Sequence, residues 1–314
     1  MHKVLLTCPP MIGIVDQLRD KFEAAQFDVF VPDFTQEMSE ESLCEIIGDY
    51  DGWIIGDDPA TRRVLENGKH GRLKACMRWG VGINNVDFEA FHDLSIPVEN
   101  TPGVFGNEVA DLAMHYVTGL LRETYNIDKS VRAGEWYKPI GKSLWSASVL
   151  IVGLGDVGQN LAKRLVAHGV KTSFYDPYVK WCEELPEVAK VTWPHSVSNN
   201  DVIVFTAPLT PETYHMFNDD LLSLLKPGIK VINVGRGQVV KQDSLIRGLE
   251  EGVVSSAALD VYESEPFYIA AEPNLSKFAD RLIFGSHNGS NTQEAVTHVS
   301  LLCVEKLKFF LEAI

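Results

Sequence analysis

The chain has 314 residues, 45% hydrophobic and 23% charged, which suits two soluble globular domains better than one small core. With 28 basic and 43 acidic residues its formal charge is −15. That excludes a general nucleic-acid binder and leaves any anionic ligand to be held by local positive features. No apolar run approaches the ~18 residues of a membrane span, and Pro9-Pro10 cuts short the apolar stretch at the N-terminus before it can read as a signal peptide. The expectation is a cytoplasmic protein. Five scattered cysteines (Cys8, Cys44, Cys76, Cys182 and Cys303) show no C-x-x-C and no Cys/His metal spacing. They read as reduced, mostly buried thiols, and no metal site is expected.

In chain order, short β-branched runs alternate with helical patterns. Strands are predicted at Val4–Thr7, Asp28–Val31, Gly52–Ile55, Leu73–Met77 and Ile96–Val98, with helices at Gln17–Ala25 and Ser42–Ile47 among them. A longer helix is predicted over Asn107–Val131, from the spacing of Val109, Ala113, Tyr116, Val117 and Leu120, and a loop at 132–136. A second series has strands at Val149–Val152, Thr172–Tyr175, Val202–Thr206, Lys230–Val234, Ser256–Asp260 and Arg281–Phe284. A helix from Thr292 closes the chain, and Asn291-Thr292-Gln293-Glu294 has capping-box character. Such alternation implies parallel sheets with crossover helices.

One turn carries chemistry by itself. Val149–Val152 runs directly into Gly153-Leu154-Gly155-Asp156-Val157-Gly158 and then into a helical stretch, Gln159–His168. Strand, glycine turn and helix in this order are the context that gives a G-x-G-x-x-G motif meaning. Gly153 permits the tight turn, Gly155 lets a pyrophosphate approach the backbone, and Gly158 lets the helix pack close. The helix N-terminus supplies free N–H groups and partial positive charge, which is how a chain of charge −15 can hold a dinucleotide. Asp176 follows Gly158 by 18 residues at the end of the next strand. A carboxylate there accepts from ribose hydroxyls and repels a 2′-phosphate, which favours NAD over NADP.

Three later segments end strands in polar residues: Val231–Gly237 in Arg236, Ala258–Pro266 in an acidic loop with Glu263 and Glu265, and Phe284–Gly289 in His287. Ligands of parallel α/β sheets sit at such carboxyl ends. The other histidines read as structural: His168 at a helix end, His195 beside Pro194, and His115 and His298 on helices. Asp57-Asp58 and Asp219-Asp220 read as turn or helix-start acids.

Together with Arg78–Asp87, Asn100-Thr101-Pro102-Gly103, Val109-Ala110-Asp111 and Ala207–Thr213, these segments resemble the D-isomer-specific 2-hydroxyacid dehydrogenase family, the relatives of phosphoglycerate dehydrogenase. The matches run in order from about residue 70 to 295. Any one of them is weak; the ordered set is specific.

The resemblance implies an NAD-dependent oxidoreductase that interconverts a D-2-hydroxy acid and its 2-keto acid. It implies an α/β chain of two Rossmann-like domains, each a parallel sheet with flanking helices, with the active site in the cleft between them. Residues 1–100, completed by helix 289–314, would form the substrate domain and residues 101–288 the NAD domain. The family pattern places a substrate-clamping arginine at Arg236, an acid/base at His287, and at Glu265 the carboxylate that orients the imidazole and favours its charged form. Main-chain N–H groups of Val81 and Gly82 would receive the substrate carboxylate, beside Arg236 and His287. Besides the glycine turn and Asp176, cofactor contacts are implied at Asp156, Val157, Ala207, Pro208, Thr213, Val234, Gly235, Asp260 and Gly289.

Relatives are usually homodimers paired through the nucleotide domain. The partner is a small 2-hydroxy or 2-keto acid, with no role for nucleic acid or membrane. Formate dehydrogenases share the pattern but carry glutamine where this chain has Glu265. An alternative of another class is an NAD(H)-sensing, co-repressor-like protein of the same fold. These 314 residues show no added partner-binding or DNA-binding segment, which weighs against it. Three departures stand out: Trp145 in place of the usual glycine, where local repacking is expected; Asp111 in place of the usual glutamate; and Trp79, expected to narrow the pocket beside the carboxylate loop.

Overall fold

The computed structural model describes residues 1–34, 36–180 and 184–313; Cys182 lies outside them. These residues form two compact units. One comprises Met1–Val104 with the C-terminal segment from Asn291, the other Phe105–Ser290.

The first unit is built on a five-stranded sheet of β1 (His2–Leu6), β2 (Phe27–Phe30), β3 (Gly52–Ile55), β4 (Ala75–Arg78) and β5 (Val98–Glu99), in the order β2-β1-β3-β4-β5. Every pairing is parallel. All four residues of β3 are buried, as expected where both faces of a parallel sheet are covered. On one face Leu5, Trp53, Ile55 and Cys76 pack against Leu43, Val64, Leu65 and Phe91 from the flanking helices. The helix Gln293–Glu312 belongs to this unit: the Trp79 indole N–H donates to Ser300 (3.1 Å), and Lys306 pairs with Glu99 (3.0 Å).

The second unit holds a seven-stranded sheet of β6 (Ser148–Val152), β7 (Lys171–Tyr175), β8 (Ala189–Lys190), β9 (Val202–Phe205), β10 (Ile229–Asn233), β11 (Val254–Leu259) and β12 (Leu282–Phe284), in the order β12-β11-β10-β9-β6-β7-β8. It too is parallel throughout. The order reverses at β6, the switch point at which such sheets bind ligands. One face is covered by helices Gly106–Arg122 and Asp156–Ala167, which bury Ala113, Val117, Leu161 and Leu165. The other is covered by Leu221, Leu245, Leu249 and Leu275.

Every strand expected from the pattern is present, with ends shifted by one or two residues. The short edge strand β8 had no apolar run to announce it. The single helix expected over Asn107–Val131 is two, Gly106–Arg122 and Thr124–Arg132. Glu123 between them takes a left-handed backbone (φ +52°), which ends the first helix; an apolar periodicity carries no sign of it. The last helix is capped by Thr292, whose Oγ1 accepts from Ala295 N (3.2 Å). With alanine at the third helical position, only half of a capping box forms. Trp145 needs no repacking, because the residue is 72% exposed. No helix among the described residues is long and apolar enough to cross a membrane.

Candidate active site

The glycine turn leaves β6 at the switch point. Gly153 has φ +97°, and a Cβ there would lie 2.8 Å from Ala207 Cα, so no other residue fits without moving the β9 loop. Thr206 donates its hydroxyl to the carbonyls of Val152 (3.2 Å) and Gly153 (2.7 Å), which ties that loop to the turn. Gly155 precedes helix Asp156–Ala167 and gives it no side-chain cap. A Cβ on Gly155 would meet nothing within 4 Å. Uncapped N–H groups facing open space fit a pyrophosphate. Asp156 accepts from Asn160 (3.0 Å), and Val157 is half-buried in the same helical turn.

Asp176, at the end of β7, is buried. Its carboxylate accepts from the backbone N–H groups of Leu154 (2.8 Å), Tyr178 (2.8 Å) and Val179 (3.0 Å). The carboxylate expected to face a ribose is thus also the brace of the turn. Ala207 and Pro208 follow β9, and Thr213 closes a local turn by donating to Pro208 O (2.6 Å) and accepting from Thr210 N (2.8 Å).

Past β10 the chain runs Val234-Gly235-Arg236. Asn233, fully buried, accepts from Gly235 N (3.1 Å) and donates to Arg236 O (2.9 Å). This amide sets the course of the Arg236 backbone and was missed in the sequence; its one signal was a lone amide inside the apolar run Val231–Val234. The Arg236 guanidinium donates to Gly235 O (2.8 Å). Gly237 brings this loop against the next: a Cβ there would lie 1.7 Å from Tyr262 O.

The loop after β11 carries Asp260 and Glu265, and that after β12 carries His287. Glu265 Oε2 meets His287 Nδ1 at 2.7 Å, while its Oε1 accepts from Tyr262 N (2.9 Å). His287 holds a left-handed backbone (φ +55°), and its N–H donates to Asp260 O (2.7 Å). The Asp260 side chain accepts from Asn288 N (3.1 Å) and Gly289 N (2.9 Å). Burial raises the Asp260 carboxyl above the usual range, against those two hydrogen bonds. Asp260 therefore clamps the His287 loop. The rival acid Glu263 faces a different histidine, with its Oε1 2.6 Å from His215 Nε2, an ion-pair distance without hydrogen-bond alignment.

Within the second unit, Arg236, Glu265, Asp260 and His287 all follow strand ends on one edge of the sheet. Val81 and Gly82 lie in the first unit, in the turn that follows β4. Trp79 does not narrow a pocket there, because only 4% of it is exposed and its ring packs toward the C-terminal helix. Asp111 pairs with Arg164 across two helices (2.6 Å). Cys8, Cys76 and Cys303 are buried and Cys44 is partly so. No group of three or more metal-ligating side chains occurs among the described residues.

A Rossmann turn at a switch point and a histidine–carboxylate pair in the loops after the adjacent strands β11 and β12 are the marks of a nucleotide-dependent oxidoreductase. Residues 114–289 match the family model "D-isomer specific 2-hydroxyacid dehydrogenase, NAD binding domain". The chain is 31% identical to the glyoxylate reductase of Thermococcus onnurineus, over 98% of this chain and 92% of that one. It is 31% identical to the hydroxypyruvate reductase of Thermotoga maritima, over 87% and 89%. In fold it is similar to the D-lactate dehydrogenase of Escherichia coli, with TM-score 0.86, 24% identity and coverage of 99% and 97%. The chain belongs to the D-isomer-specific 2-hydroxyacid dehydrogenases. It is an NAD-dependent enzyme that interconverts a 2-hydroxy acid and its 2-keto acid.

Proposed function

We propose that Arg236, Glu265 and His287 carry the reaction, and that the unit from Phe105 to Ser290 holds NAD while the unit containing Val81 and Gly82 contributes to holding the substrate. The observation that carries this reading is the Glu265–His287 contact at 2.7 Å. When bound, the cofactor supplies or accepts the hydride. Gly153, Gly155, Asp156, Val157 and Gly158 would receive its pyrophosphate, Asp176 its ribose, and Ala207, Pro208, Thr213, Val234, Gly235, Asp260 and Gly289 would line the rest of its course. Arg236 draws the substrate carboxylate and carbonyl with its donor fork. In keto reduction His287, bound to Glu265 through Nδ1, gives a proton from Nε2 to the carbonyl oxygen. Glu265 favours the charged imidazole and holds its orientation. In the reverse direction His287 takes the hydroxyl proton.

The relatives named for glyoxylate and hydroxypyruvate make small 2-keto acids with no charge beyond the carboxylate our first choice of substrate. A panel of glyoxylate, hydroxypyruvate, pyruvate and phosphohydroxypyruvate with NADH tests this; tight NADH binding without oxidation by any acid would favour the sensor reading instead. We also propose a cytoplasmic homodimer paired through the nucleotide-binding unit. Its support is a run of exposed apolar side chains in that unit: Val131, Trp136, Tyr137 and Ile140, the last fully exposed. Such a patch marks an interaction surface, and sedimentation of the wild type against Trp136→Ser with Ile140→Ser checks it.

A further inference from the structure

The turn after β4 covers Trp79, Gly80, Val81 and Gly82. Each of its carbonyls is held by a neighbour in the same unit. Trp79 O accepts from Arg78 Nη1, Gly80 O from Thr101 N (3.1 Å), Val81 O from Asn100 Nδ2 (3.0 Å), and Gly82 O from Arg78 Nε (3.0 Å). In a trans peptide the N–H points opposite to the carbonyl of the same plane. Fixing the carbonyls of Gly80, Val81 and Gly82 therefore turns the N–H groups of Val81, Gly82 and Ile83 away from those anchors. None of these three N–H groups has a hydrogen-bond partner among the described residues, whereas Gly80 N is already bound by Thr101 Oγ1 (2.9 Å). Val81 and Ile83 are 45% and 47% exposed. Successive free N–H groups on a fixed turn make a concavity for an anion.

Arg78 is the keystone of this arrangement. It is 7% exposed. Its third link, Nη2 to Asp57 Oδ1 (3.0 Å), stops the guanidinium from swinging. One planar fork thus spans Trp79 O, Gly82 O and Asp57, which a lysine ammonium on its flexible stem cannot do.

We propose that Arg78 and Asn100 are positioning residues for the substrate carboxylate, which neither touches: by pulling the Gly82 carbonyl inward Arg78 aims the Ile83 N–H at the carboxylate, and by holding the Val81 carbonyl Asn100 aims that of Gly82, with the Val81 N–H set by the Thr101 N–H on Gly80 O. This rests on the reading of Val81 and Gly82 as the carboxylate site. It extends that site to Ile83 and gives its geometry a cause. Asn100 is a second, weaker anchor of the same kind.

The test compares wild type, Arg78→Lys and Asn100→Ala, all with melting curves to establish folding. It measures KM and kcat for the best keto acid of the panel, the Kd of oxamate as an unreactive carboxylate, and the Kd of NADH. Loss of carboxylate binding common to ground and transition state raises KM and spares kcat. The expected result is a KM and an oxamate Kd raised about tenfold in Arg78→Lys and about threefold in Asn100→Ala, with kcat within about twofold and NADH Kd unchanged. If Arg78→Lys fails to fold, Asn100→Ala decides alone. Wild-type turnover with KM and oxamate Kd unchanged in the folded variants overturns the assignment of these anchors. A wild type that neither turns over nor binds oxamate overturns the reading of the site beneath it, and the assignment with it.

Discussion

Glu265 and His287 are 22 residues apart in sequence and meet at 2.7 Å, with the other carboxylate oxygen fixed by the Tyr262 N–H. A carboxylate held at both oxygens cannot turn away, so the imidazole is held in one orientation and its Nδ1 is committed. The relation depends on two parallel strands, β11 and β12, delivering their following loops side by side.

His287→Asn keeps a polar group on Asp260's clamped loop and removes the proton donor. Turnover should fall by about 10²- to 10⁴-fold, with the NADH Kd unchanged in fluorescence titration. Full turnover in this variant would sink the proposed mechanism.

Glu265→Gln should move the pH profile of reduction. Reduction needs the protonated imidazole, so its rate falls as pH rises through the histidine's titration. A neighbouring carboxylate favours that protonated form; without it the descending limb should lie at lower pH, and the rate at neutral pH should drop. A profile with an unshifted limb would count against Glu265 as the partner of His287.

Gly153 and Gly155 should separate folding from cofactor binding. Gly153→Ala adds a Cβ 2.8 Å from Ala207 on a backbone with φ +97°, and should lower the melting temperature even without cofactor. Gly155→Val adds its side chain to open space. It should melt close to wild type, yet bind NADH at least about tenfold more weakly, a loss of about 1.4 kcal/mol. Equal NADH affinity in Gly155→Val would place the cofactor elsewhere.

Asp201 should make part of the stability acid-labile. Burial would raise its carboxyl. The hydrogen bonds from Lys142 (2.7 Å) and from Ser148 N (2.8 Å) and Oγ (3.0 Å) outweigh that and hold it at about 2. A carboxyl depressed in the folded state contributes stability above its unfolded value of about 3.9, and that stability is lost as pH falls through the folded value. Asp201→Asn should therefore cost about 2 kcal/mol at pH 7 by chemical denaturation. The gap should narrow between about pH 4 and 2; a gap independent of pH would exclude this origin.

The sequence alone determined the alternation of strands and helices, the glycine turn with its acid at Asp176, and the identity of the Arg236, Glu265 and His287 segments. These are local patterns: period, turn chemistry and residues that end strands can be read without knowing what lies across the sheet. Tertiary structure decided the rest. It paired Glu263 with His215 and Glu265 with His287, two acids the sequence left as rivals. It put the Trp79 ring toward Ser300, left Trp145 in solvent, and broke the long helix at Glu123. It also made Asn233, Asp260 and Arg78 the clamps of their loops. Apart from the local clamp of Asn233 on Gly235 and Arg236, these depend on burial, on a partner tens to hundreds of residues away or on a single backbone dihedral. None leaves a periodic trace in the chain, because burial and hydrogen bonding are settled only when distant strands come into register.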